Sequence, residues 1–208
     1  MKIGETITFG SYYQSNDGTK EPVEWIVLET KEDSALIISK YVLDFKPYHR
    51  GMGVTWSRCN IRKWLNSEFK ETVFNESERK LIKVSKITTN DLLFDKRGFI
   101  DDYSEDQKDE YEEMIYDECY DEIFLLSLDE AKKYFKSDDD RKGFPTPFAA
   151  KQHKYEIKTD NPCWWFLRTL GYERFLVSYV HSDGYATRSG TFMNSEAGIR
   201  PALWLNID

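Results

Sequence analysis

The chain has 208 residues, 40% of them hydrophobic and 15% aromatic, enough for one domain or two small ones and too aromatic for wholesale disorder. Its net charge of −8 is localised: residues 101–122 hold twelve Asp/Glu against one Lys, a local −11, so the remainder carries +3. That balance lacks the clustered Lys/Arg of a nucleic-acid partner, and no apolar run approaches the ~18–20 residues of a membrane helix.

Residues 1–45 read as β structure. Ile7 and Phe9 alternate with polar neighbours, and residues 23–28 and 35–39 are short β-branched runs separated by charged turns. Residues 14–19 are turn chemistry. The period then changes. Thr55 or Ser57 is expected to cap a helix whose Ile61, Trp64, Leu65 and Phe69 share one face, with Arg58, Arg62, Lys63, Asn66 and Lys70 outward. Asn75 or Ser77 begins a second short helix through Ile82, and residues 83–88 alternate again.

Residues 95–122 have tyrosines but little aliphatic content, which predicts an acidic insertion or mobile loop within a single domain spanning 1–208. Calcium would need converging oxygens and a sharp turn; no EF-hand pattern is present, so no metal is expected. Residues 122–126 read as a buried strand leading into a capping box, Ser127 with Glu130, and a helix to about Phe135. Residues 143–147 form a rigid turn. Strands are expected at 163–168, 175–181 and 202–205, with Ser182-Asp183-Gly184-Tyr185 as a hairpin turn.

Three ordered blocks resemble an uncharacterised family of bacterial domains, common in Firmicutes, with a WWLR…GVRPAL signature. The first is Phe9-Gly10-Ser11-Tyr12-Tyr13-Gln14 followed by Glu21-Pro22-Val23-Glu24-Trp25-Ile26-Val27-Leu28. The second is Ile61-Arg62-Lys63-Trp64-Leu65-Asn66 with Phe69, Phe74, Glu78 and Ile82. The third is Trp164-Trp165-Phe166-Leu167-Arg168 with Gly198-Ile199-Arg200-Pro201-Ala202-Leu203-Trp204-Leu205. The C-terminal pattern is similar to that of C-type lectin-like folds, which include the formylglycine-generating enzymes and the variable receptor proteins of diversity-generating retroelements. The resemblance implies an α+β fold of short antiparallel strands and two to four helices. Its last strand would return close to the N-terminal one.

Within these blocks, Trp64, Trp164, Trp165, Arg168, Gly198, Arg200, Pro201 and Trp204 are expected to be scaffold. Arg200 would serve as a planar partner for a carboxylate or carbonyls, Gly198 would allow a close backbone approach, and Pro201 would start a strand.

Three functional readings follow. The first is a non-catalytic binding module for a small molecule, glycan or protein. Its candidate contacts, between Phe175 and Ser195, are Tyr179, His181, Asp183, Tyr185, Arg188 and Asn194, with Thr187 and Ser189 beside them. The second is an enzyme with a cysteine-based site, using His153 or His181 as base. Formylglycine generators use a closely spaced, copper-binding cysteine pair. Here only Cys163 lies in the C-terminal half, so that chemistry lacks its second thiol. Cys59, Cys119 and Cys163 make neither a disulfide framework nor a metal clip, and His49, His153 and His181 lack ligand spacing. No cofactor motif is present, and no catalytic residue is assigned. The third is an interaction protein that engages a partner through the acidic segment. The start, Met1-Lys2-Ile3-Gly4-Glu5-Thr6, lacks the apolar centre of a signal peptide, so a soluble, cytoplasmic protein is expected.

Overall fold

A computed structural model of the chain describes residues 1–51, 53–90, 116–173 and 175–207. Its architecture is mixed α+β, with two mainly antiparallel sheets and short helices. The first sheet is built on β1 (Thr6–Tyr13), β2 (Lys20–Thr30) and β3 (Ser34–Ser39), the three strands expected at the N-terminus. All six residues of β3 are buried, which is why Ala35-Leu36-Ile37-Ile38 reads as a continuous apolar run. The last strand, Ala202–Asn206, lies against β3, with Leu203 opposite Ile37. Its far side pairs with two short strands, β5 (Ile82–Lys83) and β8 (Ile123–Phe124). The C-terminal strand therefore sits inside the sheet. It is separated from β1 by β2 and β3 rather than paired with it.

The second sheet contains β4 (Asp44–Pro47), β9 (Trp165–Leu170), β10 (Leu176–Val180), β11 (Ala186–Phe192) and β12 (Glu196–Ile199). Its order is β11-β10-β9-β12-β4, and the last strand of the first sheet completes the numbering as β13. Only β12 and β9 run parallel, meeting at Gly198 and Trp165. The approach there is close. A Cβ on Gly198 would lie 2.7 Å from Val42 Cγ1 and 2.9 Å from the Trp164 carbonyl oxygen, so no larger residue fits.

Between β3 and β5 the chain forms α1 (Asn60–Trp64), a π-helical turn (Leu65–Phe69) and α2 (Lys70–Val73), then α3 (Glu76–Arg79). Ile61, Leu65 and Phe69 are buried as the helical period predicts. The cap differs from expectation. Thr55 and Ser57 flank and enter a 3₁₀ turn, Trp56–Arg58, and the Cys59 sulfur accepts from the Arg62 N–H at 3.4 Å to start α1. Ser127 with Glu130 forms the expected capping box, and of the two starts offered for the second short helix the structure uses Asn75, which forms a capping box with Glu78. The Ser127 box opens α4 (Leu128–Tyr134), which α5 (Asp138–Arg141) and α6 (Pro147–Gln152) follow. Periodicity could not show these last two, which span four and six residues. Ile82, placed in a helix by sequence, is strand because it pairs with Leu205.

Two supposedly outward residues of the 60–73 helix are anchors. Arg62 Nε donates to Asp121 Oδ1 at 2.7 Å, and Trp56 Nε1 donates to Asp121 Oδ2 at 2.7 Å. Asn66 Oδ1 accepts from the Glu122 and Ile123 N–H groups, and its Nδ2 donates to the Ile123 oxygen. Both residues grip the end of the acidic stretch. Tyr116–Asp121 is strand β7, paired antiparallel with β6 (Ser85–Asn90), and Asp121 is buried. The predicted loop therefore ends in ordered ribbon; its portion 95–115 lies outside the described residues.

Arg200 joins the two sheets. It is 1% exposed, follows β12 directly and precedes β13 by one residue. Its Nε and Nη2 donate to the Ser39 oxygen at 3.1 and 3.0 Å, Nη2 also reaches the Lys40 oxygen, and Nη1 reaches the Arg141 oxygen. Trp165 and Phe135 rings flank the guanidinium at 4.8 and 5.5 Å. Of the two partner types expected, the structure uses carbonyls. Burial without a carboxylate holds the guanidinium down to about 10. Pro201 places its carbonyl, which accepts from Ser39 N at 2.9 Å, ahead of β13 as expected. Trp165 and Arg168 are buried, while Trp64 and Trp204 are half-buried under Lys46 and Lys31 ammonium groups at 4.5 and 4.0 Å.

Replacing Arg200 by Ala takes donors from the Ser39 and Lys40 carbonyls, leaves the Arg141 carbonyl to the Trp165 indole, and opens a void between the sheets. The expected loss is about 3 kcal/mol, roughly 6–12 °C in Tm for a chain of this size; an unchanged melt would refute the junction. Asp44 supplies a pH-dependent test. Its carboxylate accepts from Tyr12 OH at 3.0 Å and from Phe45 N at 2.8 Å, with Lys46 Nζ at 3.4 Å. Burial raises its pKa above the ordinary 3.8 despite those partners. The folded state thus binds the proton more tightly, and stability falls as pH rises through that window. Asp44→Asn should melt higher than wild type at neutral pH, the gap closing near pH ~3. Melts that differ equally at both pH values would exclude this linkage.

Candidate functional site

The β10–β11 hairpin has one open side. Tyr179 stands opposite Thr187, so the two share a face, and the Ser189 hydroxyl lies 2.9 Å from that of Thr187 on the same side. His181, two residues along from Tyr179, keeps the face, its ring 6.4 Å from the Tyr179 ring. Trp164, just before β9, meets Tyr179 edge-on at 5.6 Å and 78°. All five are half-buried or exposed. Two aromatic rings at near right angles, an imidazole and two hydroxyls thus line one surface.

The other side is closed. Val180 and Ala186, paired across the hairpin, are buried, and α4 packs against β11. The turn rests on α5. Arg141 Nε donates to the Gly184 oxygen at 2.9 Å, while the same guanidinium pairs with Asp138 and reaches the Phe135 oxygen. Gly184 has φ +91, and a Cβ there would lie 1.7 Å from the Asp138 oxygen. Both the turn and the docking of α5 therefore require glycine. Behind α4, Glu130 caps the helix and takes Arg168 in a fork, Nη1 to Oε2 at 2.5 Å and Nη2 to Oε1 at 2.7 Å. Burial would raise the Glu130 carboxyl, but the Arg168 cation outweighs it and holds it below its usual range.

The sequence-predicted residues separate in the structure. Tyr179 and His181 lie on the open face with Thr187 and Ser189. Asp183 and Tyr185 form the turn: Asp183 Oδ1 accepts from Tyr185 N at 2.9 Å and lies 3.2 Å from His181 Nδ1, while the Tyr185 ring is 59% exposed. The Tyr185 N–H, with the His181 ring, holds the Asp183 carboxyl low. Arg188, between Thr187 and Ser189, is half-buried and lies in the irregular stretch between the Thr187 and Thr191 pairs. Asn194 lies past the other end of β11, roughly 20 Å from the turn at ~3.3 Å per residue. Asn194 therefore lies apart from the Tyr179–His181 face. Trp164, assigned to the scaffold, joins it. The available signal was its position beside a fully buried Trp165, since neighbours on a strand face opposite ways.

The cysteines offer little nucleophilicity. Burial pushes the thiols of Cys59, Cys119 and Cys163 up to about 12, so each stays protonated at neutral pH. His153 is committed elsewhere, its Nδ1 accepting from Tyr155 N at 3.1 Å and its ring packed on Phe45 at 4.7 Å. Among the described residues, no group of three His, Cys, Asp or Glu side chains is arranged to hold a metal. No helix among them is long and apolar enough to cross a membrane.

The sequence matches a domain of unknown function, DUF6273, over residues 32–207. The chain belongs to this family. Neither curated proteins nor solved structures give a match. The DUF6273 span includes both walls of the hairpin, the Arg200 junction and β13, whereas β1 and β2 precede it.

Gly184→Ala tests the support of the face. The left-handed φ and the Asp138 contact together should cost on the order of 3 kcal/mol, a fall of roughly 6–12 °C. Amide exchange should rise first at residues 181–187. A variant with wild-type melting and protection would show that the turn and α5 do not depend on each other.

Proposed function

We propose that this domain is a non-catalytic binding module, akin in role to the C-type lectin-like domains its sequence blocks resemble, and that its ligand lies on the open face of the β10–β11 hairpin. One observation carries the reading: Trp164 and Tyr179 present accessible rings beside His181, Thr187 and Ser189, on a hairpin whose reverse side is packed. Rigid aromatic groups contribute contact area at low entropic cost, and hydroxyls with an imidazole supply adaptable hydrogen bonds. A face held from behind by α4 and α5 is also preorganised, which lowers the cost of binding. The protonated thiols argue against the cysteine-enzyme alternative.

The test is a thermal-shift screen of sugars, peptides and small metabolites. A ligand at about 100 times its Kd adds ~2.7 kcal/mol, a rise of about 5–10 °C here. The shift should disappear in both Tyr179→Ala and Ser189→Ala, and the Ser189 hydroxyl is exposed enough for that variant to keep the wild-type melt. A ligand that stabilises wild type and both variants equally would place binding elsewhere.

A further inference from the structure

Away from the hairpin, a cleft of about 670 Å³ opens between α6 and the chain that follows it. Pro147, Ala150 and Ile157 form its apolar part, and Asn16 from the β1–β2 turn closes one side. The walls are fixed by bonds of their own. Phe148 N donates to the Gln14 oxygen at 3.0 Å, tying α6 to that turn; His153 Nδ1 accepts from Tyr155 N; and Asn161 N donates to the Lys158 oxygen at 3.3 Å. The volume lies within the ~300–1,000 Å³ typical of small-molecule sites.

Its lining carries one more cation than anions. Lys151, Lys154 and Lys158 line the cleft together with Glu156 and Asp160, yet among the described residues none of these three lysines forms an ion pair. Lysines such as Lys40, Lys70, Lys83 and Lys133 hold a carboxylate within 4.0 Å, so the three cleft ammonium groups are uncommitted by comparison with these, as are those of Lys2 and Lys63. Lys154 Nζ instead sits 5.0 Å over the Tyr155 ring, which is 66% exposed. No arginine fork lines the cleft to select a planar carboxylate; separate ammonium point charges suit a phosphoryl dianion.

We infer that this cleft is a second binding site, for a small phosphorylated molecule whose apolar or flat body rests on Pro147, Ile157 and the Tyr155 ring while Lys151 and Lys158 neutralise its phosphate. The two sites differ in chemistry, so this inference stands apart from the hairpin reading.

The test uses phenyl phosphate as probe in an NMR titration of the whole chain, with phenol and inorganic phosphate as controls. Saturable shifts are expected at residues 147–160. Phenyl phosphate should bind more tightly than either control and weaken as salt rises. Lys151→Gln combined with Lys158→Gln should weaken binding roughly tenfold or more. Both side chains are exposed, so the double variant should melt as wild type; should it not, each single substitution carries the same test with a smaller loss. No saturable shift, equal binding of phenol, or an unchanged Kd in the lysine variants would each overturn the proposal.

Discussion

A buried cation with no carboxylate beside it among the described residues organises this molecule. The Arg200 guanidinium lies between the two sheets, and its hydrogen bonds go to the carbonyls of Ser39, Lys40 and Arg141. Three carbonyl dipoles and two aromatic faces replace part of the hydration that burial removes. The arrangement is geometrically demanding, because the planar fork fixes where the end of β3, the end of α5 and the start of β13 must lie. A lysine would keep the charge but could not direct donors to three acceptors along one plane. The Arg141 oxygen also accepts from Trp165 Nε1 at 3.0 Å, so the end of α5 is shared between β9 and the Arg200 junction.

From that junction the support runs outward to the hairpin. The Arg141 backbone is held by Arg200 and Trp165, while the Arg141 side chain holds the Gly184 carbonyl at the turn. One residue thus carries positional information from the centre of the molecule to its surface. The Glu130–Arg168 fork does the same for α4, behind β11. A hairpin alone is marginal in water; here its reverse face is buried and its turn clamped, so the front face can remain wet. At β11, residues 188–190 bulge between the Thr191 and Thr187 pairs, a distortion that makes a free sheet edge a poor template for adding another strand.

Much of the scaffold was legible because it follows strong local rules. Short apolar and β-branched runs located β3 and most of β9, a capping box located α4, a cap residue located α3, and Asp-Gly located the turn. The failures share a different cause: they depend on partners distant in sequence. Asp44–Pro47 is a strand because Glu196–Ile199 pairs with it, and nothing in Asp-Phe-Lys-Pro announces that. Arg62 and Asn66 looked solvent-facing because helical period says which way a side chain points, not what arrives there. The candidate site was half legible. Composition and proximity in sequence grouped Tyr179, His181, Arg188 and Asn194 without saying which of them share a face, and Trp164 was set aside as scaffold. Deciding among them required register and face, both properties of pairing.

The end of the acidic stretch, expected as insertion or mobile loop, is ordered strand over Tyr116–Asp121. Asn90 pairs with Tyr116, so these two positions are neighbours on one two-stranded ribbon. With its ends already side by side, a connection between them adds little closure entropy whatever its length, since that cost grows only as the logarithm. The ribbon must therefore be tied down independently of what it carries. Asp121 meets this need: it takes the Trp56 indole, the Arg62 guanidinium and the Cys119 thiol, while Asp117 takes the Ser57 N–H at 2.7 Å. Two of the twelve carboxylates that define the stretch are thus structural. Composition alone cannot distinguish them from solvated ones, because a buried aspartate and an exposed one contribute the same letter and the same charge.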